Sequence, residues 1–503
     1  MNLERNTVIG INENNFTINN KITYTEESGF PMADKCVKGK LLGLKSANCI
    51  FDDERYPEWG SNENPYFGYV SWDYPDGKWN PERNTDEFIK QLPIYRKHGL
   101  LLVNVNLMGN QPTGRAGGHP WINSAFTPMG DLKPSYLKRL TRILNEIDKL
   151  GMILMVGLFY PRMDRIVMVQ DSVEKDDALI QKCIANVMQF LVSSGHRNIL
   201  VEIGNESNNR FYEHWMLRGD RVYKAIDIAR KTSKGLFPIS TSIYKVQDIP
   251  DNALESMDYI LLHNFIGDPE NIAKELKETR KRIDNSKAII NKEDTNVLSL
   301  VKTLENNASF SFYHQGINNY LEGFQSIPIN WSINTVAKWN YFYQVARLTG
   351  SIIPKKPDNL PSIPMTKVKG IKQGDKLSDQ DIKNIIIEVE TPRYFSSSLP
   401  LYPKRVEFFI DGSPVKYSGT HTEIITKNLD GYILKERKPS SFMLEGKDLI
   451  NGPLGFNILN LPKGEHTLTI IPHYTDENIK IGVHKGTFRE KTGQLVDIKF
   501  FNY

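Results

Sequence analysis

Two glutamates carry the chemistry this sequence offers. Ile199-Leu-Val-Glu-Ile-Gly-Asn-Glu-Ser207 is an apolar run that ends on Asn205 and Glu206, and Ala288-Ile-Ile-Asn-Lys-Glu293 is a second run that ends on Glu293. Such runs read as buried parallel strands, so each carboxylate is expected at a strand's C-terminal end, where a (β/α)8 barrel builds its active site. Paired carboxyls suit glycoside hydrolysis. In retaining enzymes they lie about 5–5.5 Å apart, one protonating the leaving oxygen while the other attacks the anomeric carbon. Glu206 is the candidate acid. The two groups need unequal surroundings, because the acid must hold a proton that the nucleophile must lack. His263, closing the run Tyr259–His263, is placed to hydrogen-bond one of them, although a satisfied strand-end histidine fits equally well. Asn205 is placed to bind a sugar 2-hydroxyl. Three letters prove little on their own: Asn205-Glu206-Ser207 is also a glycosylation sequon, and a solvated strand-to-loop junction would read the same.

Aromatic residues gather where loops after strands are expected: Trp72, Tyr74 and Trp79, then Trp121, Tyr160 and Trp331. Flat apolar faces with polar edges suit sugar rings, and they suit core packing as well. Arg115, Arg162 and Arg165 fall in the same loops and are suited to a carboxylate or sulfate, or to ordinary surface ion pairs.

The elements that must hold these residues follow a repeating rhythm. Strands are expected near 41–50, 100–107, 152–159, 199–203, 237–241, 258–263, 287–291 and 308–313. Helical patterns fall between them near 85–98, 135–150, 173–193, 218–231, 269–283, 296–305 and 334–348, with a weak stretch at 245–256. Leu137, Leu140, Ile143, Leu144, Ile147 and Leu150 recur at helical spacing before Gly151, and Asp268-Pro269-Glu270 opens another helix with a cap and a first-turn proline. Strands alternating with helices predict parallel βαβ units, and eight of them predict a closed α/β barrel of the TIM type over 41–350. A doubly wound open sheet is the rival, without its Gly-rich phosphate loop. Ahead of the barrel, residues 14–24 alternate about Asn19-Asn20 and predict a β-hairpin within an N-terminal segment, 1–40, that covers the lower end of the barrel. Beyond it, the prolines of 351–365 predict a linker or strap, and short strands at 385–390, 405–410, 466–471 and 495–501 predict an all-β sandwich over 366–503.

Composition narrows the function classes. With 503 residues, 40% hydrophobic and 24% charged, the chain suits a barrel plus a smaller module. A net charge of +4 without a dense basic stripe gives no case for nucleic acid and a slight lean toward anionic partners. Cys36, Cys49 and Cys183 are scattered and predict neither a disulfide framework nor a metal site. No run approaches the roughly 18 apolar residues that span a bilayer, and the N-terminus has no signal-peptide pattern. HExxH, Walker and GxSxG motifs are lacking, and His119, His196 and His214 have no ligand spacing, so no metal or cofactor is expected.

With both glutamates in hand, the first 350 residues resemble the clan of retaining glycoside hydrolases on (β/α)8 barrels, in which an Asn-Glu pair follows strand four and a Glu ends strand seven. Ile50-Phe-Asp-Asp53, Gly77-Lys-Trp-Asn-Pro-Glu-Arg-Asn-Thr85, His98-Gly-Leu, Asn123-Ser-Ala-Phe126 and Glu322-Gly-Phe-Gln-Ser-Ile-Pro-Ile-Asn-Trp331 look like a little-characterised bacterial group within it. The resemblance implies a glycosidase acting on a poly- or oligosaccharide, anionic ones included, in a secreted or periplasmic setting. It makes Glu206 the acid/base, Asn205 its partner and Glu293 the nucleophile. There are departures: where the clan often has an Arg near strand two this chain has Asn104 and Asn106, Phe310–His314 stand where it often has a Trp, and Lys292 adjoins the nucleophile. Asn106 thereby joins the candidate substrate contacts, with His263, Trp79, Trp121, Tyr160, Arg162 and Trp331. A non-catalytic glycan-binding barrel is the alternative, and a structural scaffold a third reading.

Overall fold

The computed structural model describes residues 6–503 apart from 53–72, 110–122, 162, 165–176, 264–268, 284, 315–319, 321–322, 326, 358–366, 391–393, 396–399, 420–422, 427–431, 436–441, 451, 477–489 and 493–494. Parallel strands run in ring order: Leu42–Lys45, Leu102–Asn106, Ile153–Phe159, Ile199–Gly204, then Ile239–Ser240 with Ser242–Ile243, Ile260–His263, Ile289–Asp294 and Ser309–Phe312. The fifth strand is broken at Thr241. Its first half pairs with Val201 and Glu202, its second with Leu261 and Leu262, and Phe310–Phe312 pair back onto Leu42–Leu44. The sheet therefore returns on itself as a barrel of eight parallel strands, one of them interrupted. At the break the Thr241 hydroxyl donates to the Gly204 carbonyl at 2.7 Å and accepts from the Gly204 amide at 3.2 Å, standing in for the missing backbone pair.

Every residue of these strands is buried, as expected for a parallel sheet covered on both faces. The helices that cover it begin and end where capping residues fall. Asn80 caps Pro81–Lys97 by accepting from the Arg83 amide, Pro134 opens Pro134–Lys149, and Thr335 and Gly350 bracket Val336–Thr349, Gly350 at φ 65°. Pro134–Lys149 turns Tyr136, Leu140, Ile143, Leu144 and Ile147 inward. The weak stretch at 245–256 holds a 3-10 turn, Val246–Asp248, and a short helix, Asp251–Ser256. Pro269–Arg282 is a helix, while its expected cap, Asp268, lies outside the described residues.

The expected N-terminal hairpin is a three-stranded sheet, because Ile9–Asn12 adds to Asn15–Ile18 and Lys21–Ile22. The Tyr24 hydroxyl donates to the Gly99 carbonyl (2.9 Å), the Thr7 amide to Asp148 (3.1 Å) and the Ile9 amide to the Arg197 carbonyl (3.0 Å). Gly99, Asp148 and Arg197 each precede a barrel strand, so this sheet lies at the strands' N-terminal ends, opposite the glutamates.

After residue 366 the described elements are mostly strands in two larger sheets, one of Lys367–Lys369, Ile386–Glu390 and Phe442–Glu445, the other centred on Pro400–Ile410, Gly464–Asp476 and Val496–Asn502. Val389 and Leu444 of the first share one apolar cluster with Phe408, Ile470 and Phe500 of the second. Phe409, Ile471 and Leu495 pack in turn on Val297 and Val336 of the barrel. A buried polar set crosses the same boundary. Arg405 donates to the Thr295 carbonyl at 3.3 Å, and Glu407 accepts from the Val297 amide at 3.3 Å and pairs with His473 at 3.0 Å. Thr295 and Val297 directly follow the strand that carries Glu293.

Candidate active site

Glu206 and Glu293 face each other across the C-terminal mouth of the barrel, with His263 between them. The His263 Nδ1 lies 3.2 Å from Glu206 Oε1 and 3.5 Å from Glu293 Oε2. One oxygen of each carboxylate and one ring nitrogen fall within 4.8 Å of one another. All three side chains are buried. Such a trio has the donor set for a divalent ion, but the Lys45 ammonium is ion-paired with Glu293 Oε1 and already fills a cation's place there, so the arrangement does not read as a metal site.

Glu206 sits where the fourth strand turns away. Its φ of 57° lies in the left-handed region, a strained conformation for a residue with a Cβ, and the Asn209 amide closes the turn onto its carbonyl at 2.7 Å. Its amide donates to the Ser242 hydroxyl at 2.8 Å, tying the turn to the split fifth strand. The Tyr244 hydroxyl and the Asn209 amide group donate to Glu206 Oε2 at 2.6 and 3.2 Å. Burial raises the Glu206 carboxyl, but the hydrogen bonds from His263 and Tyr244 and the charge of Lys45 together hold it below the usual range. Burial lowers His263 to about 4 despite its bond to Glu206, so near neutral pH the ring is uncharged and donates Nδ1–H.

The two carboxylates have unlike partners. Glu206 receives hydrogen bonds from neutral groups, while Glu293 has an ammonium. Lys45 ends the first strand, is 2% exposed, donates to Asn205 Oδ1 at 3.2 Å and stands 5.2 Å from the Tyr313 ring centroid. Burial and the nearby Lys292 push its pKa well below the ordinary lysine value, against Glu202 and Glu206, which raise it. Below this layer Lys292 pairs with Glu202 inside the barrel. Burial lowers Lys292, whereas Glu202, which burial alone would raise, is held low by Lys292 and Lys45.

Asn205 keeps its Nδ2 buried and, among the described residues, without a protein partner; the Asn106 Oδ1 is likewise unpartnered. Both remain available to a hydroxyl. An ideal Cβ on Gly157 would stand 2.7 Å from Asn106 Oδ1 and 3.0 Å from Glu202 Oε2, so only glycine leaves room for both polar groups there. Tyr160 follows the third strand, half-buried, and its phenol acts electrostatically on Tyr313, whose own pKa burial raises well above the usual tyrosine value.

Two of the other expected contacts, Trp331 and Trp79, are packed among apolar residues. Trp331 is a correction: it is 1% exposed, meets Phe88 edge to face, stacks on Phe324 and donates its indole N–H to Asn84, so the core has taken this ring. Trp79 stacks on Tyr74 at 5.6 Å and joins Phe51 and Ile327 in a separate apolar cluster, 7% exposed. Trp72, Trp121, Arg115, Arg162, Arg165 and His119 lie outside the described residues. Of the remaining histidines, His196 is 3.3 Å from Asn145, and His214 is paired with Asp164 at 3.1 Å.

Lys45, Tyr244, Asn209 and Tyr313 are site residues that the strand pattern did not single out. Lys45 had a signal of its own: a lysine closing the apolar run Leu41–Leu44 at the strand end where the barrel puts its chemistry. Tyr244 and Asn209 had none, since only the turn at Glu206 and the break at Thr241 bring them onto the carboxylate.

No family model matches the chain, and no curated protein matches it. Among solved structures, similarity extends to an endo-beta-1,4-mannanase from Thermotoga petrophila at 11% identity and a TM-score of 0.36, over 92% of this chain and 98% of that one. An FMN-binding beta-glucuronidase from Facaelibacterium prausnitzii L2-6 aligns at 11% identity and a TM-score of 0.39, over 99% of this chain and 59% of that one. A GH5-4 broad specificity endoglucanase from Bacteroides salanitronis aligns at 11% identity and 0.39, over 62% and 93%. These likenesses are too distant to speak for a reaction. Among the described residues no helix is long and apolar enough to cross a membrane.

Proposed function

We propose that this chain is a retaining glycoside hydrolase acting on a poly- or oligosaccharide, anionic ones included. One observation carries the reading: two buried carboxylates whose oxygens come within 4.8 Å at the barrel mouth, one paired with an ammonium and the other held by neutral donors. That asymmetry is what double displacement asks for, since the nucleophile must stay ionised while the acid/base exchanges a proton.

Glu293 attacks the anomeric carbon as the bond to the leaving oxygen breaks, and that oxygen takes the bonding pair and a proton from Glu206. Glu206, now a carboxylate, then accepts a proton from a water whose oxygen attacks the anomeric carbon and displaces Glu293. Without a sugar's burial to raise it, Glu206 is held low. A bound sugar that excludes water strengthens the burial contribution, which moves the carboxyl up toward the protonated form the first step requires. The Asn205 Nδ2, without a partner among the described residues, is offered to the 2-hydroxyl. We further read residues 41–350 as the catalytic barrel and 366–503 as an accessory β-sandwich, a division supported by the separate apolar cluster that the two C-terminal sheets share.

The test is hydrolysis of a panel of neutral, sulfated and uronic-acid glycans, read by product mass and anomer for wild type and Glu293→Ala. The proposal expects a product of retained configuration from wild type and loss of turnover by orders of magnitude in the variant. Near-normal turnover by Glu293→Ala with the same anomer would overturn it, and binding of one glycan by both proteins without cleavage would favour a glycan-binding barrel.

A further inference from the structure

We infer that Lys45, at the end of the first strand, is a positioning residue for the nucleophile: its ammonium fixes the Glu293 carboxylate in its ionised form and turns one chosen oxygen toward the sugar. The inference rests on the glycosidase reading. Three observations meet on this side chain. Its Nζ is ion-paired with Glu293 Oε1, so the other oxygen, Oε2, is the one facing His263 and Glu206. It also donates to Asn205 Oδ1 at 3.2 Å, which orients that amide, and among the described residues its Nδ2 has no protein partner. And it stands beside the Tyr313 ring in a fully buried position, where an ammonium acts through little water.

No other described charge can do this. Lys292 is occupied with Glu202, His263 is uncharged above about pH 4, and the second strand contributes the neutral Asn104 and Asn106. One cation thereby orients both the attacking carboxylate and the amide beside the acid/base. It acts in both half-reactions. While Glu293 attacks, the ammonium leaves Oε2 free by holding Oε1. When water attacks the anomeric carbon, the departing Glu293 carboxylate regains its charge beside a fixed ammonium, which is electrostatic stabilisation placed where charge develops. Removing one preorganised group of this kind costs about 10²- to 10³-fold in kcat.

The experiment compares wild type, Lys45→Met, Lys45→Arg, Glu206→Ala and Glu293→Ala on a panel of 2,4-dinitrophenyl glycosides. Dinitrophenolate leaves without a proton, so the first step reports on the nucleophile alone. For Lys45→Met a fall in the glycosylation rate of about a hundredfold is expected, because the attacking oxygen is no longer held in place. KM should move far less, Lys45→Arg should recover at least part of the rate, and Glu206→Ala should accumulate the glycosyl-enzyme because its second step lacks the base. A Lys45→Met glycosylation rate within threefold of wild type, with Glu293→Ala dead, would overturn the inference and leave the proposed function standing. Activity retained by Glu293→Ala would overturn the function instead. A second measurement needs no turnover: unfolding of Lys45→Met, Glu293→Gln and the double variant. Pairing predicts that Lys45→Met lowers the midpoint in the native background and costs little once Glu293 is neutral. Equal costs in both backgrounds would refute the pair. If Lys45→Met does not fold, the same cycle run with Lys45→Gln decides.

Discussion

Lys292→Met should be among the most destabilising single changes in the barrel. Its ammonium is paired with Glu202 inside the ring of strands, the two side chains 0% and 1% exposed. Removing the lysine leaves a carboxylate that already has one oxygen, Oε1, without a partner among the described residues. An uncompensated buried charge of this kind costs about 3–5 kcal/mol. Replacing both partners is another matter. Burying two ions carries a desolvation cost that a salt bridge often fails to recover, so Lys292→Met with Glu202→Leu should regain most of the loss. The assay is urea unfolding followed by tryptophan fluorescence, which reads the barrel through its buried Trp331. A single variant within about 1 kcal/mol of wild type, set against the 3–5 expected of a broken buried pair, would refute the reasoning. So would a double variant as unstable as the single one, because the cost would then come from lost packing and not from charge.

Three further outcomes follow from the same geometry. His263 falls from 6.5 to about 4 on folding, so between those values the unfolded chain binds the extra proton and stability drops as pH falls through that window. The shift corresponds to about 3 kcal/mol, and His263→Asn should flatten an acid unfolding curve between pH 6.5 and 4. Gly157→Ala sets a methyl 2.7 Å from Asn106 Oδ1, so the amide must move, with a thermal-unfolding cost of about 1–3 kcal/mol; unchanged stability would show that the glycine is incidental. Arg405→Met removes the donor to the Thr295 carbonyl and unbalances Glu407 and His473, so it should lower both stability and kcat through the segment that follows Glu293. An effect on stability with kcat untouched would separate the C-terminal sheets from catalysis.

The barrel was legible because its signals are local. Apolar runs of strand length alternate with helical repeats, and caps such as Asn80 and Gly350 mark their ends, so all eight strand positions could be read within a few residues. Glu206, Glu293 and His263 were readable for a related reason: each closes an apolar run. The rest of the site depends on places where the regular pattern fails. A left-handed Glu206 and a fifth strand broken at Thr241 carry Asn209 and Tyr244 to the carboxylate, and neither can be inferred from periodicity. Trp331 failed for the opposite reason. An aromatic after a strand signals a surface for sugar and a filler for core equally well, and the Phe88 ring decided it. Asn19-Asn20 announced a hairpin, but the added strand Ile9–Asn12, joined to Asn15–Ile18 by a tight turn at Glu13 and Asn14, lies outside the stretch that hairpin spans.

The central claim is that Glu293 forms a covalent bond to the sugar. It is tested most directly by incubating the full chain with a panel of 2-deoxy-2-fluoroglycosyl fluorides, whose deglycosylation is slow, and mapping the mass increase by peptide sequencing. The account predicts one sugar per chain, on Glu293, with none in Glu293→Ala. Labelling of another residue, or turnover that yields inverted product and no labelled enzyme, would contradict it.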